Sequence, residues 1–172
     1  MPDTPEVWLR GPLPDIPPAL QPVAHSLLQS REELHAALSG LSPDDLWARP
    51  SGAASIGFHA RHAAGSLDRL LTYARGELLT AAQRAALAAE GAPDVRPRMT
   101  AVLLAEFDSA VDRALDQLKA TDEKTLLEFR GVGRAQLPST VIGLLFHAAE
   151  HTQRHLGQIM TTAKILAGQA KP

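Results

Sequence analysis

Five of the seven histidines fall in two short runs, Phe58-His59-Ala60-Arg61-His62 and His147-Ala148-Ala149-Glu150-His151-Thr152-Gln153-Arg154-His155. Imidazole is a common ligand for transition metals and the side chain that titrates nearest neutrality. At about 100° per residue on a helix, His151 and His155 differ by only about 40° around the axis, so both rings stand on one face, one turn apart. His59 and His62 share a face in the same way. Two side chains on one helix cannot surround an ion, but facing helices of a bundle can. The chemistry expected is a divalent ion held by three neutral imidazoles, two from the later run and either His59 or His62 from the earlier, with one position open to water or substrate. There is no cysteine, so every ligand is nitrogen or oxygen, and neither a disulfide nor a thiolate nucleophile is available.

Neighbours of the runs carry secondary readings. Gln158 falls on the same face as His151 and His155 by the same angular count, where it could hold a water, orient a ligand or simply pack. His147 lies one turn before His151 and could donate to a ligand or carry a proton. With His59, these two are the candidates for a catalytic role. Glu150 and Arg154 point about 100° away from the adjacent ligands, as a salt-bridged flank does. Ser139 and Thr140 read as helix caps. On the first helix, His35 reads as a surface residue, and His25 stays a candidate for lining the pocket.

Helices must position these residues. Seven prolines among the first 22 residues forbid a continuous helix and favour an extended arm over 1–19, with Trp8 and Leu9 pinning it to a domain covering 20–172. Apolar spacing predicts helices from about Pro18 or Pro22 to Leu38, from an N-cap at Ser55 to about Arg75, from Thr100 to about Ala120 with Val102 among its core residues, and from Pro138-Ser139-Thr140 to the C-terminal region. Ser42-Pro43-Asp44-Asp45 starts a short turn through Trp47. The stretch Glu77 to Arg98 begins helical but breaks at Gly91, Pro93 and Pro97, so it reads as a connection. Leu126 to Arg130 and Arg134 to Leu137 suggest a small hairpin or an irregular loop.

At 172 residues the chain has the length of one domain and enough apolar material to fold without staples. A formal charge of −2 with no basic cluster argues against nucleic acid as a partner, and aromatic residues at 4% leave little for base stacking. No apolar run is long enough for a membrane span and no secretory leader opens the sequence, so a cytoplasmic protein is expected.

The run from Gly40 to Trp47, the segment Ser55 to Ser66, and His147 to Ile159 with its HxxxHxGQ pattern together resemble the DinB-like superfamily, the DinB/YfiT group of metal-dependent enzymes, over about residues 20 to 167. The resemblance implies an all-α four-helix bundle in up-down-down-up order, with a long crossover between helices two and three. It places the metal triad on His62, His151 and His155. It further implies zinc or nickel as the ion, with iron, cobalt or manganese as other choices, and a homodimer. Known activities in the group are mostly thiol-dependent, so the leading expectation is a transferase acting on a low-molecular-weight thiol and an electrophile. A metal-dependent hydrolase and a metal-binding helical protein without turnover are the alternatives.

Overall fold

The computed structural model describes residues 4–96 and 98–169. In chain order the elements are α1 (Gln21–Leu38), α2 (Pro43–Trp47), α3 (Ile56–Ala74), α4 (Ala81–Ala89), α5 (Met99–Ala120), the strands β1 (Phe129–Val132) and β2 (Leu137–Thr140), and α6 (Val141–Gln169). The strands pair antiparallel, and α1, α3, α5 and α6 form the bundle. Its core joins Leu27, Leu34 and Leu38 of α1 to Leu67 and Leu71 of α3, Leu103, Phe107 and Leu118 of α5, and Leu145, Leu156 and Ile159 of α6.

Side-chain pairs fix the helix directions. His59 meets His155 and His62 meets His151, so α3 and α6 run antiparallel. Arg61 reaches Met99 while Gln117 donates to the carbonyl of Leu71, so α3 and α5 run parallel. Arg31 pairs with Asp112 and His35 with Asp108, which makes α1 antiparallel to α5. The order is up-down-down-up, and two parallel neighbours require the long crossover from Glu77 to Arg98.

The ends of α3 are set locally. The Ser55 hydroxyl accepts from the Phe58 amide at 3.2 Å, as an N-cap does. At the other end Gly76 takes φ of 79°, its amide bonds to the carbonyl of Tyr73, and the Glu77 amide bonds to that of Thr72. This paired closure needs a residue free of a Cβ in the left-handed region. Between these ends, Gly57 lets the Trp47 ring lie against the α3 backbone, where a Cβ would stand 2.8 Å from the ring. The Trp47 Nε1–H donates to the carbonyl of Asp94 at 2.6 Å, so one side chain ties α2, α3 and the crossover together.

Three expectations need correcting. Trp8 and Leu9 do not pin the arm, since they are 61% and 57% exposed; Val7, Ile16 and Leu20 are buried instead, and the Val7 amide donates to Gln29. Val102 is 41% exposed, because the buried stripe of α5 runs through Met99, Leu103, Phe107 and Ala110. Pro138-Ser139-Thr140 completes a strand before α6 begins, and the Thr140 hydroxyl then accepts from the Gly143 amide at 3.1 Å.

Ser55→Ala is expected to lower stability by about 1 kcal/mol through loss of the cap, and Leu67→Ala by about 2–5 kcal/mol through the cavity it leaves. Urea unfolding followed by helical circular dichroism measures both, and equal losses would contradict this division between cap and core.

Candidate metal centre

The ligand candidates come from the first two turns of α3 and the middle of α6. His62, His151 and His155 each present one ring nitrogen within 4.8 Å of the others. The Nε2 nitrogens stand 3.1 Å apart between His62 and His151 and 3.2 Å apart between His151 and His155. Nitrogens about 2.0 to 2.1 Å from a tetrahedral ion stand about 3.3 Å apart, so the spacing suits one. His155 is buried and the other two are half-buried, which puts the cluster at the edge of the core.

Among neutral rings, hydrogen placement favours a cation as the distances do. The Nδ1 of His62 lies 2.7 Å from a carboxylate oxygen of Glu90, which can only accept, so in the neutral ring the hydrogen sits on Nδ1 and Nε2 keeps its lone pair. Were His151 to carry a hydrogen on Nε2, it could satisfy only one of its two neighbours, so nitrogen lone pairs are left facing one another. A divalent ion removes that repulsion, and the donor set fits one.

Partners behind the ligands orient two of the three rings. The second oxygen of Glu90 accepts from Arg69 at 2.6 Å, and both side chains are buried. His59 is buried with its Nδ1 2.9 Å from the Nδ1 of His155, so His59 lies next to the cluster but its hydrogen bond is to the far nitrogen of a ligand candidate. The Phe58 ring stacks on His62 with centroids 5.5 Å apart. The Nδ1 of His151 is buried with no hydrogen-bond partner among the described residues.

Other candidates divide. His147 is near, its ring centroid 5.3 Å from that of His151, and its Nδ1 bonds to Glu150 at 2.7 Å; Arg154 pairs with the same carboxylate, forming the expected salt-bridged flank. Gln158 is exposed and no hydrogen bond joins it to the histidines. His35 pairs with Asp108, and His25 meets the carbonyl of Gly11 beside the arm, outside the cluster. Sequence reasoning missed Glu90 and Arg69. The available signals were a single acid closing an alanine-rich stretch and an arginine on the apolar face of α3. A groove of about 870 Å³ is lined by Arg61, Gly65, Glu90, Asp94 and Arg113, and by none of the histidines.

Burial, reinforced by repulsion from His62, His151 and His59 wherever those rings take up a proton, pushes the His155 imidazole down to about 4. Burial likewise lowers His59 and His151, with His62 adding to both. Burial alone would raise Glu90, but hydrogen bonds from His62 and Arg69 outweigh it and hold the carboxyl below its usual range. The lowered rings are neutral near pH 7, which is the form that ligates.

These features define a class, the helical bundles that gather histidines from two facing helices around one metal position. Residues 10–159 match the family model of the DinB superfamily, and the chain belongs to that superfamily. No curated protein matches the chain at a significant level.

Between pH 6.5 and about 4 the unfolded chain holds a proton on His155 that the metal-free folded protein excludes, so stability is present above pH 6.5 and is lost as pH falls through this window. The urea midpoint of the metal-free protein should therefore drop from pH 6.5 to 5, above the main carboxylate range, and His155→Gln should flatten that slope. An unchanged slope in the variant would show that His155 is not its source.

Proposed function

We propose that the chain is a metal-dependent enzyme whose ion, zinc or nickel foremost, is held by His62, His151 and His155. In this reading it joins a low-molecular-weight thiol to an electrophilic small molecule. The observation that carries the reading is the convergence of three Nε2 atoms on one point at the edge of the core. When bound, a divalent ion there supplies Lewis-acid chemistry that stabilises a thiolate near neutral pH. The sulfur then forms its bond to the electrophilic carbon, the leaving group departs, and the thiol proton passes to solvent. No protein nucleophile is required, which suits a chain without cysteine. His62 is aimed by Glu90, His155 by His59, and the Phe58 ring holds water off one side of His62.

Two further features belong to the proposal. Phe146 and Ile165 leave apolar surface on α6 at 63% and 45% exposure, which a second copy would cover in a homodimer. A reducing, cytoplasmic setting fits the lack of cysteine, and no helix among the described residues is long and apolar enough to cross a membrane.

Purified without an affinity tag, the protein should hold close to one divalent ion per chain and conjugate an electrophilic reporter with at least one cellular thiol. His155→Ala should abolish both while leaving helical content nearly unchanged, because the core does not include the ion. Full activity in metal-stripped parent protein would exclude the reading, and ester hydrolysis without thiol transfer would redirect it to a hydrolase. Sedimentation at micromolar concentration should show a dimer; a monomer would remove that part of the proposal.

A further inference from the structure

We propose that Glu90 is a positioning residue for the metal centre, clamped by Arg69 in a gap that glycine at position 65 leaves open, and that through it the crossover docks more tightly when His62 holds an ion. The proposal rests on the reading of the histidine cluster as a metal site.

The crossover has little apolar attachment. No residue of α4 is buried, and the segment is held by polar contacts. Gln83 donates to Asp68 and Thr72, Arg61 donates to the carbonyl of Ala92 and to Asp94, and Trp47 donates to the carbonyl of Asp94. Glu90 is the buried member of this set, 6% exposed. One of its oxygens accepts from His62 and the other from Arg69, at 2.7 and 2.6 Å. These contacts cross the α3 backbone at Gly65, where a Cβ would stand 2.5 Å from the Glu90 oxygen and 2.7 Å from the Arg69 nitrogen. Glycine inside a helix is destabilising relative to alanine, and here the space it leaves is filled by this ion pair.

Coordination at Nε2 of a histidine makes its Nδ1–H a stronger donor, and a carboxylate on that hydrogen in turn makes the ring a better ligand. Linkage makes the effect mutual: the factor by which a docked Glu90 raises metal affinity equals the factor by which metal favours docking of the crossover.

The test uses the full chain with Co²⁺ and Zn²⁺ as probes. Affinity is read by titration, ligand geometry by the visible spectrum of the cobalt form, and docking by amide exchange over residues 81–96 with and without metal. Gly65→Ala removes no ligand and no hydrogen-bonding group, yet it should weaken binding by about 10 to 100-fold. Glu90→Gln should do the same. Because that change leaves the buried Arg69 charge without its partner, Arg69→Met/Glu90→Gln supplies a form with no unmatched charge should the single variant fail to fold. Gly157→Ala, where an added Cβ meets nothing within 4 Å, should bind as the parent does. Metal should slow exchange in the crossover of the parent by a factor matching the affinity change, and should not do so in the Glu90 variants. Parent-like affinity in folded Gly65→Ala and Glu90 variants, or metal-independent exchange in the parent, overturns the proposal while leaving the histidine site standing. A parent that binds neither ion overturns the metal reading itself.

Discussion

Everything near the candidate centre depends on the antiparallel register of α3 against α6, which sets His59 opposite His155 and His62 opposite His151. Imidazoles from two helices come within hydrogen-bond distance only where the backbones approach closely. The buried residues interleaved with the histidines are small: Ala60 and Ala63 on α3, Ala148, Ala149 and Thr152 on α6. Larger side chains on those turns would hold the helices apart. A slip of one turn along either helix would carry His62 away from His151, so the same packing that fills the core also sets the spacing of the ligand nitrogens.

The crossover adds a constraint that the two helices alone cannot supply. A histidine aimed by backbone packing still has a rotatable ring and a choice of tautomer. Glu90 settles both for His62 by accepting from its Nδ1. Burying that carboxylate is costly unless its other oxygen is also satisfied, and Arg69, about two turns further along α3, does so. His155 finds its partner within the bundle, in His59. The rings are thus oriented by two different means, one from the bundle and one from the connection.

Legibility in the sequence follows the range of the interaction. Helix positions were readable because their signals are local: the Ser55 cap, Gly76 beyond the end of α3, and the proline breaks between elements. The pairing within HxxxH was readable because a helix fixes it, and HxxH on the other helix supplied the possible third ligand. The choice of His62 over His59 was not readable from spacing, since both share a face, and it came with the family resemblance. Glu90 was invisible because its partner His62 lies 28 residues away, across a helix end and a break where helical spacing no longer relates one residue to another. Gly65 left a trace, an isolated glycine inside a helical pattern, which commonly has a packing reason. Angular counting alone does not decide the role of Gln158. Gln158 lies less than one turn beyond His155, yet its side chain is exposed rather than turned to the histidines.

The donor set also bears on which small molecules the site would favour. Three neutral imidazoles would leave the charge of a divalent ion uncompensated, and Glu90, acting through His62, would offset only one unit of it. With Arg69 taking up part of that carboxylate's charge, the balance at the centre stays positive. In the proposed metal-bound form an anionic donor would therefore be favoured over a neutral one, and a thiol would meet that preference by losing its proton near neutral pH. A further protein carboxylate at the centre would cancel the preference. The acid beside His147 on α6 is engaged elsewhere: Glu150 pairs with His147 and Arg154. In the proposed reading, that pairing would hold the Glu150 charge off the centre and leave the preference for a small anion intact.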